Sequence, residues 1–295
     1  MSATAIAWLG DATGQGRWGT PEELALPVSD RGLLLADGLF ETLLVESGQA
    51  WLMEEHLSRW QSSAGLLGLP PPPGAAIIQP LITAALDRCG FKSGALRLNW
   101  SSGSGARGID PPSHCTPNFW LQLNTFQPCF EPVRVIVSPT ETRSATSLLS
   151  RCKTFAYGPS IQARRQAKEA GADDALLPSS AGGLCCGSSA NLLVCVEGAW
   201  ITPPLSSGCL PGVMRQRGLE SGVVTECVVN KPELLICDAA WLVNSLNCRP
   251  ISHFHDIKLK NSHWESPETF WRRLLTADCI KHSKSAESSP SLDLP

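Results

Sequence analysis

Lys153 sits in Arg151-Cys152-Lys153-Thr154-Phe155-Ala156-Tyr157, and the residues after it carry no formal charge. A lysine in an apolar setting with a cation nearby, here Arg151, loses its proton easily, and the neutral amine attacks carbonyls to form a Schiff base. Taken alone, Lys153 also reads as a surface lysine at a strand end. Further along, Cys209-Leu210-Pro211-Gly212-Val213-Met214-Arg215 reads as a turn that opens a helix. The first backbone N–H groups of such a helix have no internal partner and suit a phosphate; alone, the segment equally reads as a plain turn-to-helix junction. Between the two lies Ser188-Ser189-Ala190-Asn191-Leu192-Leu193, whose Ser188 and Asn191 suit local caps. An amine for an aldehyde, followed by a helix start for a phosphate, predicts a site for pyridoxal 5′-phosphate. Arg59, in Glu55-His56-Leu57-Ser58-Arg59-Trp60, offers a bidentate guanidinium to the same phosphate, and His56 reads as structural.

These side chains need elements to hold them. Residues 5–9 read as a strand before a Gly-rich turn. Residues 38–47 carry the strand formers Phe40, Thr42, Leu43, Leu44 and Val45, and Ser47-Gly48-Gln49 turns them back into Ala50-Trp51-Leu52. Residues 54–67 predict a helix, with Leu57, Trp60, Ala64 and Leu67 at helical spacing, stopped by the prolines at 70–73. A second helix over 75–89 ends at Gly90. Residues 95–100 and 118–124 read as strands around a Ser/Gly loop. Beyond a patternless stretch with two prolines at 125–132, residues 133–137 predict a strand and 160–169 a helix ended by Gly171. Residues 192–196 and 199–202 pair around Glu197-Gly198. Helices follow over 212–221 and 267–277, and the Ser-, Pro- and charge-rich tail beyond Lys281 predicts disorder.

The 295 residues allow two modest domains. We place a small N-terminal domain at 1–124, a linker at 125–131, a larger domain at 132–280 and a tail at 281–295. A hydrophobic share of 43% and a charged share of 17% suit a packed core, and the net charge of −3 disfavours a nucleic-acid partner. Apolar runs such as 192–196 fall far short of the roughly 20 residues that span a bilayer. Met1-Ser2-Ala3-Thr4-Ala5 has no basic or apolar leader pattern. A cytoplasmic protein is expected, its 12 cysteines free thiols, with no Cys-x-x-Cys pair and no metal site.

The same pieces, in order and spacing, resemble the class IV aminotransferase family, the fold-type-IV pyridoxal-phosphate enzymes. Ser29-Asp30-Arg31-Gly32-Leu33-Leu34-Leu35-Ala36-Asp37-Gly38-Leu39-Phe40-Glu41-Thr42-Leu43 resembles its N-terminal signature. Glu55-His56-Leu57-Ser58-Arg59 resembles its phosphate-binding motif, and Leu96-Arg97-Leu98-Asn99 and Gly105-Ala106-Arg107-Gly108 its next two elements. Lys153, Glu169-Ala170-Gly171-Ala172-Asp173-Asp174-Ala175-Leu176-Leu177, Ile201-Thr202-Pro203-Pro204-Leu205 and the Leu210-Pro211-Gly212 turn complete it. The resemblance implies a mixed α/β fold: a small N-terminal α/β domain, a larger C-terminal domain on a closed β-sheet, and the cofactor between them. It also implies a homodimer that lends loop residues across its interface.

For the site, the resemblance implies that Lys153 holds the cofactor and acts as base, with Thr42 assisting. Phosphate contacts fall to Arg59, the backbone of Val213 and Met214, and Ser245 in Val243-Asn244-Ser245-Leu246. Arg97 and Arg107 are candidates for substrate carboxylates, and Tyr157 lies on the substrate side. One residue departs from the pattern. Counting back from Asn191 puts Cys186 where most members carry a glutamate for the pyridine nitrogen, and no acidic residue lies between Pro178 and Val196. Three activities compete: 4-amino-4-deoxychorismate lyase, branched-chain aminotransferase and D-amino-acid aminotransferase. Phe40-Glu41-Thr42-Leu43 looks most like the lyase, and the short Lys153-to-Tyr157 spacing resembles lyases and D-amino-acid enzymes; the lyase, which releases pyruvate and leaves 4-aminobenzoate for folate synthesis, is favoured. Such a lyase is fed by aminodeoxychorismate synthase. A non-catalytic cofactor-binding paralogue is the remaining alternative.

Overall fold

The computed structural model describes residues 5–111, 114–263 and 265–277, so the tail beyond Lys281 lies outside the described residues. Strands β1 (Ala5–Gly10) and β2 (Gly16–Gly19) precede a short helix α1 (Arg31–Leu35), β3 (Gly38–Glu46) and β4 (Gln49–Ala50). Helices α2 (Met53–Leu67) and α3 (Ala75–Cys89) follow, then β5 (Gly94–Ser101) and β6 (Phe119–Thr125). The six strands form one antiparallel sheet in the order β2-β1-β6-β5-β3-β4. Ser47 and Gly48 both have positive φ, 54° and 80°, the backbone that lets a two-residue turn match strand twist. One face of the sheet packs on the α2 stripe of Leu57, Trp60 and Ala64 and on Ile78, Ile82 and Ala85 of α3. Phe119 lies at the centre of that core, with Trp8, Trp60 and Trp100 rings at 5.1, 5.9 and 6.5 Å.

The rest of the chain builds a second sheet. Strand β7 (Val133–Val137) leads through α4 (Leu148–Arg151) and α5 (Gly158–Glu169) to β8 (Asp174–Pro178), β9 (Leu184–Gly187), β10 (Asn191–Val196) and β11 (Ala199–Thr202). Then come α6 (Val213–Glu220), β12 (Val224–Glu226), α7 (Lys231–Ile236), β13 (Ala239–Val243), β14 (Cys248–Phe254), β15 (Ile257–Lys258) and α8 (Pro267–Thr276). The path β10-β13-β14-β7-β8-β9 returns to β10 and closes a six-stranded barrel, the closing contact being a single pair, Asn191 with Cys186. Strands β11 and β12 continue the sheet beyond β10, and β15 beyond β14. Val135, Leu176, Leu192, Val194, Leu242 and Ile251 belong to the core that packs the barrel. No strand is shared between the two sheets.

The mixed α/β fold with a closed sheet agrees with the expectation from sequence. Helix α3 has the expected bounds, and Gly90 caps it at φ 73°. Six strands were not expected from the sequence, β8, β9, β12, β13, β14 and β15, and β2 lies where a Gly-rich turn was expected. No helix among the described residues is long and apolar enough to cross a membrane. The eleven described cysteines are free thiols.

The four-ring core makes a stability prediction. Phe119→Ala removes the ring that three tryptophans share and is expected to cost about 3–5 kcal/mol. Urea denaturation of the two proteins measures the difference.

Candidate active site

A cavity of about 550 Å³ opens where the two sheets meet. From the first sheet, β3 contributes Phe40 and Thr42, and β5 contributes Arg97, which pairs directly across from Thr42. Helix α2 contributes Arg59. The segment before α5 contributes Lys153 and Tyr157, the barrel contributes Cys186 to Asn191, and the start of α6 contributes Gly212 and Val213. The turn after β13 adds Asn244 to Asn247.

Lys153 reaches this wall because its segment pairs with β3. Phe40 N–H donates to the Lys153 carbonyl at 2.9 Å, and Phe155 N–H to the Gly38 carbonyl at 3.1 Å. The Phe155 ring fills the space beside Gly32 and Gly38, where a Cβ would lie 2.9 and 2.3 Å from it. The glycines of the N-terminal signature thus admit the segment that carries the lysine. Lys153 Nζ lies 3.1 Å from the Tyr157 hydroxyl and 4.5 Å from the Phe40 ring centre. Arg97 stacks on the other part of the same residue set, its guanidinium 3.6 Å from the Phe40 ring centre, with Nε donating to Asn99 Oδ1 at 2.7 Å. Burial pushes the Arg97 guanidinium down from its ordinary range, against an opposing pull from Tyr157.

Arg59 is fixed from behind. Its Nε and Nη2 donate to the two oxygens of Glu41 at 2.8 and 2.5 Å, and its Nη1 donates to the Pro211 carbonyl at 3.0 Å. Three of its five N–H groups are thereby engaged, and two remain for an anion. Glu41 is 1% exposed. Burial pushes its carboxyl up, but the Arg59 charge and the hydrogen bonds from His56 and Arg59 outweigh it and hold it at about 2. His56 Nδ1 lies 2.7 Å from Glu41, and burial pushes the ring below its usual value, so the neutral tautomer donates there. His56 is structural, as expected.

Pro211 leads into the α6 start. Gly212 is its N-cap, and no side chain caps the free N–H groups. A Cβ on Gly212 would lie 2.0 Å from Asn191 Oδ1, and Asn191 Nδ2 donates to the Leu210 carbonyl at 2.9 Å. Asn191 therefore holds the turn against the barrel wall. Ser245 sits in a turn tied by Asn244, whose Oδ1 accepts from the N–H groups of Leu246 and Asn247.

Thr42, Arg59, Arg97, Lys153, Tyr157, Cys186, Val213 and Ser245 thus line one cavity. The Met214 side chain turns instead into the adjacent core, which leaves only its backbone for a ligand. Arg107 is exposed on a loop outside the cavity, and Arg151, at the end of α4, is exposed outside it as well. That loop is pinned by Arg31, which donates to the carbonyls of Gly108, Ile109 and Asp110. Arg143, which no motif marks, lines the cavity and donates to the Gly208 and Ser150 carbonyls.

The profile of the family described as Amino-transferase class IV matches residues 38–254. The chain belongs to this family. A bifunctional aminodeoxychorismate lyase / D-amino acid transaminase of Mycobacterium tuberculosis is 26% identical over 260 residues, 78% of this chain and 86% of that protein. The fold is that of a branched-chain aminotransferase from Thermoproteus uzoniensis solved with norvaline (TM-score 0.81, 23% identity, 92% and 94% of the two chains). It is also that of a hypothetical aminotransferase from Mycobacterium tuberculosis in its PLP-bound form (TM-score 0.78, 21% identity, 91% and 99% covered). The class IV enzymes depend on pyridoxal phosphate. The residues here fit that group: an amine beside a hydroxyl, an uncapped helix start that no Cβ crowds, and two spare N–H groups on Arg59 above it.

The buried carboxylate predicts a pH dependence. A carboxyl held at about 2 in the fold, against 4.5 ordinarily, adds stability above its unfolded value, and that stability is lost as pH falls from about 4.5 to about 2. Denaturation of wild type and Glu41→Gln across this window is expected to show their difference shrinking by about 3 kcal/mol.

Proposed function

We propose that this chain is a lyase that removes pyruvate from 4-amino-4-deoxychorismate and leaves 4-aminobenzoate. One observation carries the reading: beyond Arg59, two more guanidinium groups line the cavity, Arg97 and Arg143, and Thr42 stands directly across from Arg97. With Arg59 and the α6 start assigned to the phosphate, together with Ser245, the wall keeps charge for a substrate with two carboxylates. It also offers a hydroxyl for a leaving oxygen. A branched-chain amino acid brings one carboxylate and an apolar side chain, and matches this wall less well.

When bound, pyridoxal phosphate supplies an aldehyde for the substrate amine and a ring that takes up electrons. Lys153, as a neutral amine, would take the proton from the amine-bearing carbon. Tyr157, 3.1 Å from Nζ, orients it. Arg97 holds a carboxylate, its guanidinium kept flat on Phe40. The bond from the adjacent carbon to the enolpyruvyl oxygen breaks, the leaving group takes a proton from Thr42 or Lys153 and becomes pyruvate, and the substrate ring becomes aromatic. A synthase that aminates chorismate supplies the substrate, and the product feeds folate synthesis.

Incubation with chorismate, glutamine and an aminodeoxychorismate synthase is expected to yield 4-aminobenzoate and pyruvate in equal amounts. Borohydride is expected to fix the cofactor to Lys153, and Lys153→Ala to lose both the fixed label and turnover. Faster reaction with alanine or a branched-chain amino acid than with the aminated chorismate would make the chain a transaminase. Cofactor binding without either reaction would make it a non-catalytic paralogue.

We also propose a homodimer. Leu33, Leu34 and Leu35 of α1 and Ile109 of the Arg31-pinned loop are exposed together with Val28, and Ile109 is 84% exposed. Covering this face with a second copy would bury it. Leu34→Arg is expected to sediment as a monomer where wild type sediments as a dimer. A monomeric wild type would overturn the proposal.

A further inference from the structure

Charge on the cavity wall is one-sided. Arg59, Arg97, Arg143 and Lys153 line it, and none of the described lining residues is an aspartate or glutamate. The other titratable side chains on the wall are the thiols of Cys152 and Cys186 and the phenol of Tyr157.

Two carboxylates approach from behind the wall, and both are engaged. Glu41 accepts from Arg59 and His56. Asp174 on β8 accepts from Arg164 Nη2 at 2.8 Å and from the N–H groups of Ala175 and Ser188 at 2.7 and 3.3 Å. Arg164 also donates to Ser188 Oγ, from Nε at 3.0 Å and from Nη2 at 2.7 Å. Ser188 is buried and lines the cavity. With its oxygen accepting from Arg164, its own O–H is left to donate.

We infer that this chain binds pyridoxal phosphate with the pyridine nitrogen unprotonated, accepting a hydrogen bond from a neutral donor of the wall. The inference rests on the cofactor site described above. A ring nitrogen keeps an added proton when an anion faces it, and loses it among cations. Whichever wall the nitrogen meets, it meets a neutral group or a cation. The neutral side-chain donors of the β9 end and the turn after it are the Cys186 thiol, 8% exposed, the Ser188 hydroxyl, polarised by Arg164, and the Ser189 hydroxyl. The consequence reaches the reaction. An unprotonated ring is a weaker electron sink. Expulsion of a group from the neighbouring carbon draws on that sink less than transamination, which keeps the electrons until a carbon of the cofactor is reprotonated.

The test is nitrogen NMR of wild type and Cys186→Glu loaded with cofactor isotopically labelled at the ring nitrogen. Near neutral pH, the wild-type resonance is expected at the position of an unprotonated pyridine, and the variant's at that of a protonated one. Cofactor that is bound, judged by protein-associated absorbance, but protonated in wild type overturns the inference and leaves the cofactor site standing. Labelled cofactor that does not bind at all removes the site and the inference with it. If Cys186→Glu does not fold, the wild-type resonance decides alone.

Discussion

Glu41 is a carboxylate placed where water cannot reach it, and the site is arranged around satisfying it. A buried anion must be paired and hydrogen-bonded or it destabilises the fold. Arg59 meets both oxygens with one planar fork, and His56 supplies a third donor. A lysine has no such fork and would satisfy one oxygen at a time. With one edge of the guanidinium committed to β3, the other must face the cavity and the carbonyl of Pro211. A single ion pair therefore sets α2 against β3, seats the α6 start beneath α2, and aims the spare donors of Arg59. Losing one partner of such a pair typically costs about 3–5 kcal/mol, because the other is left charged and buried.

The lysine is delivered by a different device. Its segment belongs to the chain between β7 and β8 of the barrel, yet it pairs with the start of β3 in the other sheet. Leu44 of β3 reaches the opposite way, into the core shared by Trp200, Trp241, Phe270 and Trp271. Strand β3 is thus common ground: one face packs its own helices, and the other carries Phe40 and Thr42 towards the barrel. The contacts that hold the two sheets together also form the cavity wall.

Much of this was legible in the residues. Helices α2 and α3 have clear apolar stripes and glycine ends, and β3 and its turn carry strong local signals. Lys153, Arg59 and the Gly212 turn stood out because each needs a distinctive neighbourhood. What escaped had physical causes. Strands β9 and β13 are buried at every position, and β8 at all but its last, so they show no alternation for a period of two to reveal. Arg143 sits in a loop without pattern and acquires its place only through the Gly208 and Ser150 carbonyls. Glu41 lay in plain view in a strand of apolar residues. Its burial became meaningful only when His56 and Arg59, far along the chain, were seen on the same side.

The barrel closes through one residue pair, Asn191 with Cys186, and this seam is also a wall of the cavity. A strand pairing is made by backbone, so a side-chain change at position 186 that keeps the N–H leaves the pairing groups in place. Asn191 carries the other burden, since its amide braces the turn before α6. Architecture and chemistry are therefore uncoupled at one point of the seam and joined at its neighbour. A change of side chain at the first leaves the pairing in place, whereas a change at the second removes the brace on the turn before α6.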